Sequence, residues 1–564
     1  MECCKVLGLN MGLHDSSAAL IINGEIVAVG EQERFSRHKR AKNEAPIDAI
    51  RFCLEYGKVN LDEIDVIALG SSQKLLDEWH GLTDEEIKHR VQLDDPNRLF
   101  PKQIFKYRQL PRMVSIQHHL AHAASAYYLS GFQDSAILVV DNRGERTSTT
   151  LFYGVDGEIQ FIEEYPVTES IGLYYRTAAQ YAGLCGEYKN VGKLMGLAPY
   201  GKPIEPTPLQ VLDDKVTFDQ LEDISYMRGI EIPVKRTEQL LNYYQKNCYP
   251  YTIGLSADVM SYSNFAASIQ KSVEDALIKY CEILKEKTKS NNLSIAGGVG
   301  LNCSANGAIA RSNIFQNIFI QPVSGDAGVS IGAGLQVWYN EQPKRFFYNR
   351  KLQHVYYGEE FNNEEIIETV NKYHLHYNCL SDVEIAKKTA ILLSKYKVVG
   401  WFQKRSEMGP RALGARSIIG NPTKRETLVK INRIKEREVW RPLAPSILEE
   451  KFFDYFVGPQ PSRFMLIATQ VHNYRHKEVP AIVHIDGTAR PQIVNKETNA
   501  IYWNMINEFY SLTGVPLVVN TSFNLADEPI VNTPENAIED YLKSDLDALV
   551  MNNIILIKNT VDYE

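Results

Sequence analysis

The chemistry this sequence can offer starts with four side chains. His118 and His122 stand four apart in HHLAH, followed by small and apolar residues with no Pro or Gly until Gly131. That run reads as a helix, and positions i and i+4 share a helix face, so both imidazoles can hold one metal ion. Asp141 closes the apolar strand-like run AILVVD, and Asp326 sits between Gly325 and Gly328 in SGDAG. Each is a carboxylate at a strand end beside a glycine-containing turn, the third and fourth candidate ligands of a site that suits several metals. The competing reading is a surface helix with incidental histidines. His119 points about 100° round the helix from the ligands and is expected behind them.

A second constellation is cationic. Arg405, Arg411, Arg416, Lys435, Arg437, Arg441 and Arg490 are interleaved with Pro, Gly and Trp in segments that read as loops. Arg forks grip phosphate and carboxylate, and Lys acts as a point charge. Ser522 and Asn524, at the end of the apolar run PLVVN, add neutral hydrogen bonds, giving a KxR…SxN pair with Lys435 and Arg437. Such a set suits polyanions such as ATP and a small acyl phosphate. The alternative is a structural ion-pair network.

The elements that must position these groups form a repeat. KVLGLN at 5–10 reads as a strand, and Asn23-Gly24 between apolar alternating runs predicts a two-residue hairpin. After the Asp141 strand, Asp156-Gly157 does the same, and at an offset of 133 positions Gly24 meets Gly157, Glu25 meets Glu158 and KVLG meets LVVD, with no gap. A duplicated unit of this kind is the arrangement of the actin, hexokinase and Hsp70 ATPase fold, in which the turns after the first strand of each half grip a nucleotide. The first turn offers Asn10, Gly12 and His14, and the second, NRGE, offers Arg143 and Gly144. Lys193, with the GEYK segment before it, lies in a glycine-rich, lysine-bearing loop. Gly297, Gly298 and Asn302 belong to AGGVGLN, where glycine lets backbone approach a nucleotide.

The 564 residues, 44% hydrophobic and 23% charged, suit a soluble globular protein. The net charge of −8 argues against a nucleic-acid surface. No apolar run approaches the roughly 20 residues of a membrane helix, and the first residues lack a signal-peptide layout. The eight cysteines are scattered with no CxxC, so a cytoplasmic location is expected. Residues 71–112 and 204–255 read as insertions. Between about 338 and 365 the texture becomes aromatic, basic and irregular, which places a boundary between domains at 1–350 and 360–564.

HDSSAAL at 14–20, EQERFSRHK at 31–39, HHLAHAASAYY at 118–128, GLAPYG at 196–201, AGGVGLNCSANG at 296–307, SGDAG at 324–328, GPRALGARSI at 409–418, HIDGTARPQ at 484–492 and NTSFN at 520–524 together resemble the O-carbamoyltransferases of the nodulation-protein U and cephem carbamoyltransferase family, which includes antibiotic-tailoring enzymes. The resemblance spans nearly the whole chain. It implies α/β and α+β architecture: an N-terminal domain like the tRNA threonylcarbamoyl-transferase, with iron held by His118, His122, Asp141 and Asp326, and a YrdC-like C-terminal domain. It further implies that the C-terminal domain makes carbamoyl-AMP from carbamoyl phosphate and Mg-ATP. The N-terminal domain then passes the carbamoyl group to a hydroxyl of a small-molecule acceptor, such as an aminoglycoside, a macrolactam, a cephem or a lipo-oligosaccharide.

In that scheme His14, beside the first turn, is the candidate general base, against a structural turn histidine. The insertions are expected to shape the acceptor pocket, with neither nucleic acid nor membrane as partner. The rivals are a tRNA threonylcarbamoyl-type transferase, a hydrogenase-maturation carbamoyl donor (which would add an acylphosphatase domain and CxxC zinc fingers), a sugar kinase, and an ATP-regulated binding module.

Overall fold

A computed structural model describes residues 4–11, 13–184, 191–250, 258–342, 350–458 and 463–558. Gly12 and the GEYK segment fall outside them. The chain divides into two compact units, Met1–Ser36 with Arg40–Leu352, and Arg37–Lys39 with Gln353–Glu564. Among the described residues no helix is long and apolar enough to cross a membrane.

The first unit is built on β1 (Lys5–Asn10), β2 (Ser17–Ile22), β3 (Glu25–Glu31), β4 (Val66–Leu69), β5 (Arg112–Ser115), β6 (Asp134–Val140), β7 (Thr147–Val155), β8 (Glu158–Pro166), the small pair β9 (Leu209–Val211) and β10 (Val216–Phe218), β11 (Asn292–Ala296) and β12 (Asn317–Ile320). Two five-stranded sheets run β3-β2-β1-β4-β5 and β8-β7-β6-β11-β12. Both are antiparallel across their first three strands and parallel across the rest, so one half repeats the other. Both hairpins turn through left-handed pairs, Asn23 (φ 53°) with Gly24 (φ 75°) and Asp156 (φ 49°) with Gly157 (φ 84°), the twist that two-residue hairpins require.

The ungapped match is corrected in one respect. Lys5 faces Ile22, whereas Asp134 faces Val155. The first strands therefore correspond at an offset of 129 while the hairpins correspond at 133. The second copy spends four extra residues in its first two strands: β6 has seven residues against the six of β1, and β7 nine against the six of β2.

The stretches expected as insertions have structure of their own. Residues 71–112 include the helix Gln73–His80, and the second stretch includes β9, β10 and the helix Ile232–Asn247. The two pack together: the Gly229 amide donates to the Trp79 carbonyl at 3.2 Å, Arg228 pairs with Glu86 at 3.0 Å, and Trp79 and Met227 pack on buried Val167, Ile224 and Ile232.

The second unit holds β13 (Asn378–Cys379), β14 (Val399–Phe402), β15 (Arg416–Gly420), β16 (Ala444–Leu448), β17 (Phe456–Val457), β18 (Thr469–Val471), β19 (Thr488–Ala489), β20 (Gln492–Val494), β21 (Leu517–Ser522), β22 (Ala548–Met551) and β23 (Ile554–Ile557). Its main sheet runs β13-β23-β22-β14-β15-β21-β16-β20, beside a small β17-β18-β19 sheet. The helices Asp382–Ser394 and Ala500–Thr513 pack on each other and share one core with Trp401, Phe402, Ile418, Val518 and Leu549, all fully buried. Each such side chain contributes about 1.5–3 kcal/mol by leaving water.

Candidate active site

In the first unit the predicted helix forms at His118–Ser130, and every residue but Leu120 is buried. This excludes the surface-helix reading. A second helix, Val329–Asn340, lies against it so closely that a Cβ on Gly332 would stand 1.7 Å from the Ala121 carbonyl oxygen. Only a glycine permits that approach, and Asp326 enters just ahead of this helix. Asp141 leaves the end of β6, which pairs with β11.

His118, His122, Asp141 and Asp326 thus converge, with one donor atom from each lying within 4.8 Å of the others. The two Nε2 atoms stand 3.2 Å apart. His118 Nε2 lies 3.7 Å from Asp141 Oδ2 and 3.7 Å from Asp326 Oδ1, and His122 Nε2 is 3.8 Å from Asp326 Oδ1. The surroundings suit a metal. His118 Nδ1 faces the Gly70 carbonyl at 3.3 Å, which leaves the Nε2 lone pair turned inward. The Gly298 amide donates to Asp141 Oδ1 at 3.0 Å, leaving Oδ2 toward His118. Two facing imidazole nitrogens between carboxylates are a ready N/O donor set for a cation. With no metal bound, burial opposes charge on His118, but the two carboxylates raise it well above the ordinary range. Burial, and then the charge on His118, push His122 down to about 4.

Glu145, which sequence reading missed, organises this centre from behind. Buried, it accepts from the His118 amide at 3.1 Å through both oxygens and from the Ser72 amide at 2.9 Å. The carboxylate satisfies the open N-terminus of the metal helix and ties it to the helix Gln73–His80. Its contact partners are 27 and 73 positions away, a pairing that no local pattern reveals. His119 does not bond to a ligand: its Nδ1 meets Thr150 Oγ1 at 2.7 Å and Thr147 Oγ1 at 3.2 Å, and burial pushes it down to about 3.

His14 approaches from the first turn. Its Nδ1 lies 2.9 Å from Asp15 Oδ2, 3.0 Å from an Arg40 NH2 nitrogen and 3.4 Å from Asp326 Oδ2. Burial works against ionised Asp15, but the His14 hydrogen bond and the Arg40 charge hold it at about 2.

The expected nucleotide residues divide. Asn10 is buried and donates to the Asp15 and His14 carbonyls at 2.9 and 3.4 Å, so it fixes the turn. Gly297 (φ +90°) would place a Cβ 2.3 Å from the Val140 carbonyl, so its glycine character is required by β6. Gly298 serves Asp141 as above. Gly144 lies against His119. Asn302 caps the helix Cys303–Ser312 through the Ala305 amide at 3.1 Å and makes a reciprocal pair with Gln270 at 3.1 Å; its side chain is spent structurally. Arg143 is half-buried, and burial with repulsion from Arg176 and Arg90 lowers it, so a cationic neighbourhood stands beside the carboxylates. Lys193 sits half-buried on the short helix Gly192–Leu197.

In the second unit Lys435 is buried and its ammonium donates to the Ser522 carbonyl (2.5 Å), the Asn524 carbonyl (2.8 Å) and Asn524 Oδ1 (2.9 Å). The KxR and SxN segments, 87 positions apart, therefore meet. Burial first, then Arg437 and Arg441, depress Lys435 strongly. Arg437, its Nε bonded to Asn432 Oδ1 at 2.6 Å, is pushed down to about 9 by burial and by Arg441 and Arg490. Glu438 is the acid acting on Arg437 and Arg441. Half-buried Arg437, Arg441 and Arg490 around buried Lys435, with Glu438 and Asp540 as acids acting on them, make a cationic group that suits a polyanion.

Two of the expected grips are engaged with backbone. Arg416 is fully buried, lies 3.5 Å over the Phe402 ring and donates to the Gln403, Ala415 and Glu359 carbonyls at 3.0–3.2 Å. Arg405 donates to the Gly358 and Tyr357 carbonyls at 3.1 and 2.5 Å. Both hold backbone: Arg416 in the interior, where a guanidinium must satisfy its donors locally, and Arg405 half-buried. Arg411 lies half-buried in the GPRALGAR loop, which buried Glu407 gathers by accepting from the Leu413 (2.6 Å), Arg416 (3.2 Å) and Ala415 (3.4 Å) amides.

A mixed α/β chain that gathers two His and two Asp as a candidate metal site in one unit and a cationic cluster in the other has the makings of an enzyme. The chain belongs to the carbamoyltransferase family: the models for the carbamoyltransferase N-terminus and C-terminus match residues 5–335 and 390–558. It is a carbamoyltransferase. Nodulation protein NolNO of Sinorhizobium fredii is 34% identical over 574 residues, covering 98% of this chain and 80% of the relative. Nodulation protein U of Rhizobium tropici is 26% identical over 559 residues, covering 92% and 91%. A crystal structure of full-length HypF in the phosphate- and nucleotide-bound form aligns with 61% of this chain and 47% of HypF, at 11% identity and a TM-score of 0.35.

Proposed function

We propose that this enzyme is an ATP-dependent O-carbamoyltransferase in which the second unit, YrdC-like in role, makes carbamoyl-AMP, and the first, of the duplicated ATPase type, delivers the carbamoyl group to a hydroxyl. The observation that carries the reading is the cluster of Lys435, Arg437, Arg441 and Arg490 gathered where the KxR and SxN segments meet, which suits two polyanions held together. Water takes the phosphoryl group of carbamoyl phosphate as inorganic phosphate. The carbamate oxygen so freed attacks the α-phosphorus of ATP and pyrophosphate leaves. The cations gather the phosphates and lower the cost of bringing like charges together.

In the first unit His118, His122, Asp141 and Asp326 would hold the metal, with iron the family expectation. A metal bound there supplies Lewis acidity toward phosphate and carbamoyl oxygens. His14 takes the proton of the acceptor hydroxyl as its oxygen attacks the carbamoyl carbon, and AMP departs as the leaving group. Arg143, with Arg90 and Arg176 near it, receives phosphate charge. The acceptor is a small hydroxylated molecule read by the packed segments around Trp79 and Arg228.

The test is to incubate the protein with carbamoyl phosphate and α-labelled ATP, follow pyrophosphate and carbamoyl-AMP, and then screen hydroxylated acceptors for a gain of one carbamoyl group. Binding of ATP with no pyrophosphate release would leave an ATP-regulated binding module instead. Transfer to a tRNA base would make it a threonylcarbamoyl-type enzyme.

A further inference from the structure

The turn between β1 and β2 carries a second, unexpected arrangement around His14. Asp15 and Arg40 are locked to one another twice. The Asp15 amide donates to the Arg40 carbonyl at 2.6 Å, and the Arg40 guanidinium donates to Asp15 Oδ2 at 2.7 Å through NH2 and at 3.2 Å through Nε. Both residues are left-handed, at φ 55° and 65°. Non-glycine residues hold that conformation only where their surroundings enforce it, and such strain collects at functional sites. Asn10 braces the same turn through the Asp15 carbonyl.

The product of this lock is a carboxylate oxygen at 2.9 Å from His14 Nδ1. Arg40 NH2 also approaches that nitrogen, at 3.0 Å, and is held more closely by Asp15 Oδ2, at 2.7 Å. Asp326 Oδ2, at 3.4 Å, adds a second acceptor on the same side. The two carboxylates therefore favour a proton on Nδ1, against the single Arg40 donor, which leaves Nε2 as the basic atom.

We propose that Asp15 is a positioning residue that fixes the tautomer and orientation of His14, and that Arg40 is the brace that holds Asp15 in place. This rests on the reading of His14 as the base of the transfer step. It explains why the chain holds Asp15 on this turn and Arg40 beyond β3 in left-handed backbone: a base must present one defined lone pair to the hydroxyl proton, and a freely rotating imidazole would present either.

The tautomer can be read without any acceptor. The full-length protein, labelled with 15N-histidine and loaded with Zn2+ as a diamagnetic probe, gives two-bond proton–nitrogen correlations, and His14 is assigned by its absence in His14→Asn. The expected result is a protonated Nδ1 and an unprotonated Nε2 in the wild-type protein, with Asp15→Asn moving the proton to Nε2 because the amide can donate to Nδ1. Wild-type His14 found with its proton on Nε2 overturns the proposal, as does an Asp15→Asn protein with an unchanged tautomer. Should Asp15→Asn not fold, Arg40→Lys serves: loss of the brace is expected to populate both tautomers, and a single Nδ1–H form would remove Arg40 from the role. Failure of the base reading shows separately, as full transfer by His14→Asn with the wild-type tautomer intact.

Discussion

His118 Nε2 and His122 Nε2 face each other across 3.2 Å on a helix buried everywhere but at Leu120. Two imidazoles that close waste a hydrogen bond unless a proton or a cation lies between them and the flanking carboxylates.

His122→Ala is expected to lose bound metal and carbamoyl transfer together while carbamoyl-AMP still forms. Metal content by mass spectrometry, with pyrophosphate release in parallel, checks both halves. Normal metal content would remove His122 from the ligand set.

Glu145 touches no ligand atom, yet it holds the helix that carries two of them. Glu145→Ala is expected to weaken metal affinity by about 10–100-fold, the usual scale for a partner that orients ligands. Competition against a chelator measures it, and an affinity equal to that of the wild-type protein would deny Glu145 the role.

Gly332→Val should separate the two helices that bring Asp326 to the histidines. A Cβ at that position meets the Ala121 carbonyl at 1.7 Å, so a loss of about 2–4 kcal/mol in chemical denaturation is expected, on the scale of overpacked cores. Unchanged stability would mean the helices have slack the packing does not show.

Arg437→Ala and Arg416→Ala should fail differently. Arg437→Ala is expected to abolish carbamoyl-AMP formation with little effect on melting. Arg416→Ala strips three carbonyls of their donor and should cost about 3 kcal/mol or more of stability. Undiminished adenylation by Arg437→Ala would sink the assignment of the cationic cluster.

Asp540 is buried, and burial, followed by its hydrogen bond with Glu528, raises it to about 8. The folded protein keeps this proton where the unfolded chain, near the ordinary carboxylate value, has lost it. Stability contributed by the protonated form is therefore complete in acid and declines as pH rises from about 4 to about 8. Asp540→Asn is expected to flatten that decline, which is on the order of a few kcal/mol. A persistent slope in urea titrations across that window would show another group responsible.

Much was readable in the chain alone because it depends on neighbours in sequence. The Asn23-Gly24 and Asp156-Gly157 turns, the strand at Lys5–Asn10 and the helix at His118–Ser130 follow from local conformational preference and periodicity. Four potential ligands could be named because i,i+4 histidines and strand-end carboxylates are local signatures, and they do converge. The repeat was visible too, although the four extra residues of β6 and β7 were not, since register is decided by pairing across strands rather than along them.

What tertiary structure alone decided is which polar side chains remain for chemistry. Arg416 and Arg437 look alike in sequence, but one is consumed by three carbonyls and a ring while the other joins a group of like charges. Asn302 and Gly297 look like nucleotide contacts in sequence, and only packing shows that they also serve the cap, Gln270 and Val140. Glu145, Asp15 and Arg40 gained their importance from partners distant in sequence or from a strained turn. The physical reason is the same in each case: local pattern sets which groups a segment carries, while burial forces every polar group to find a partner, and those partners are assigned only when distant segments pack.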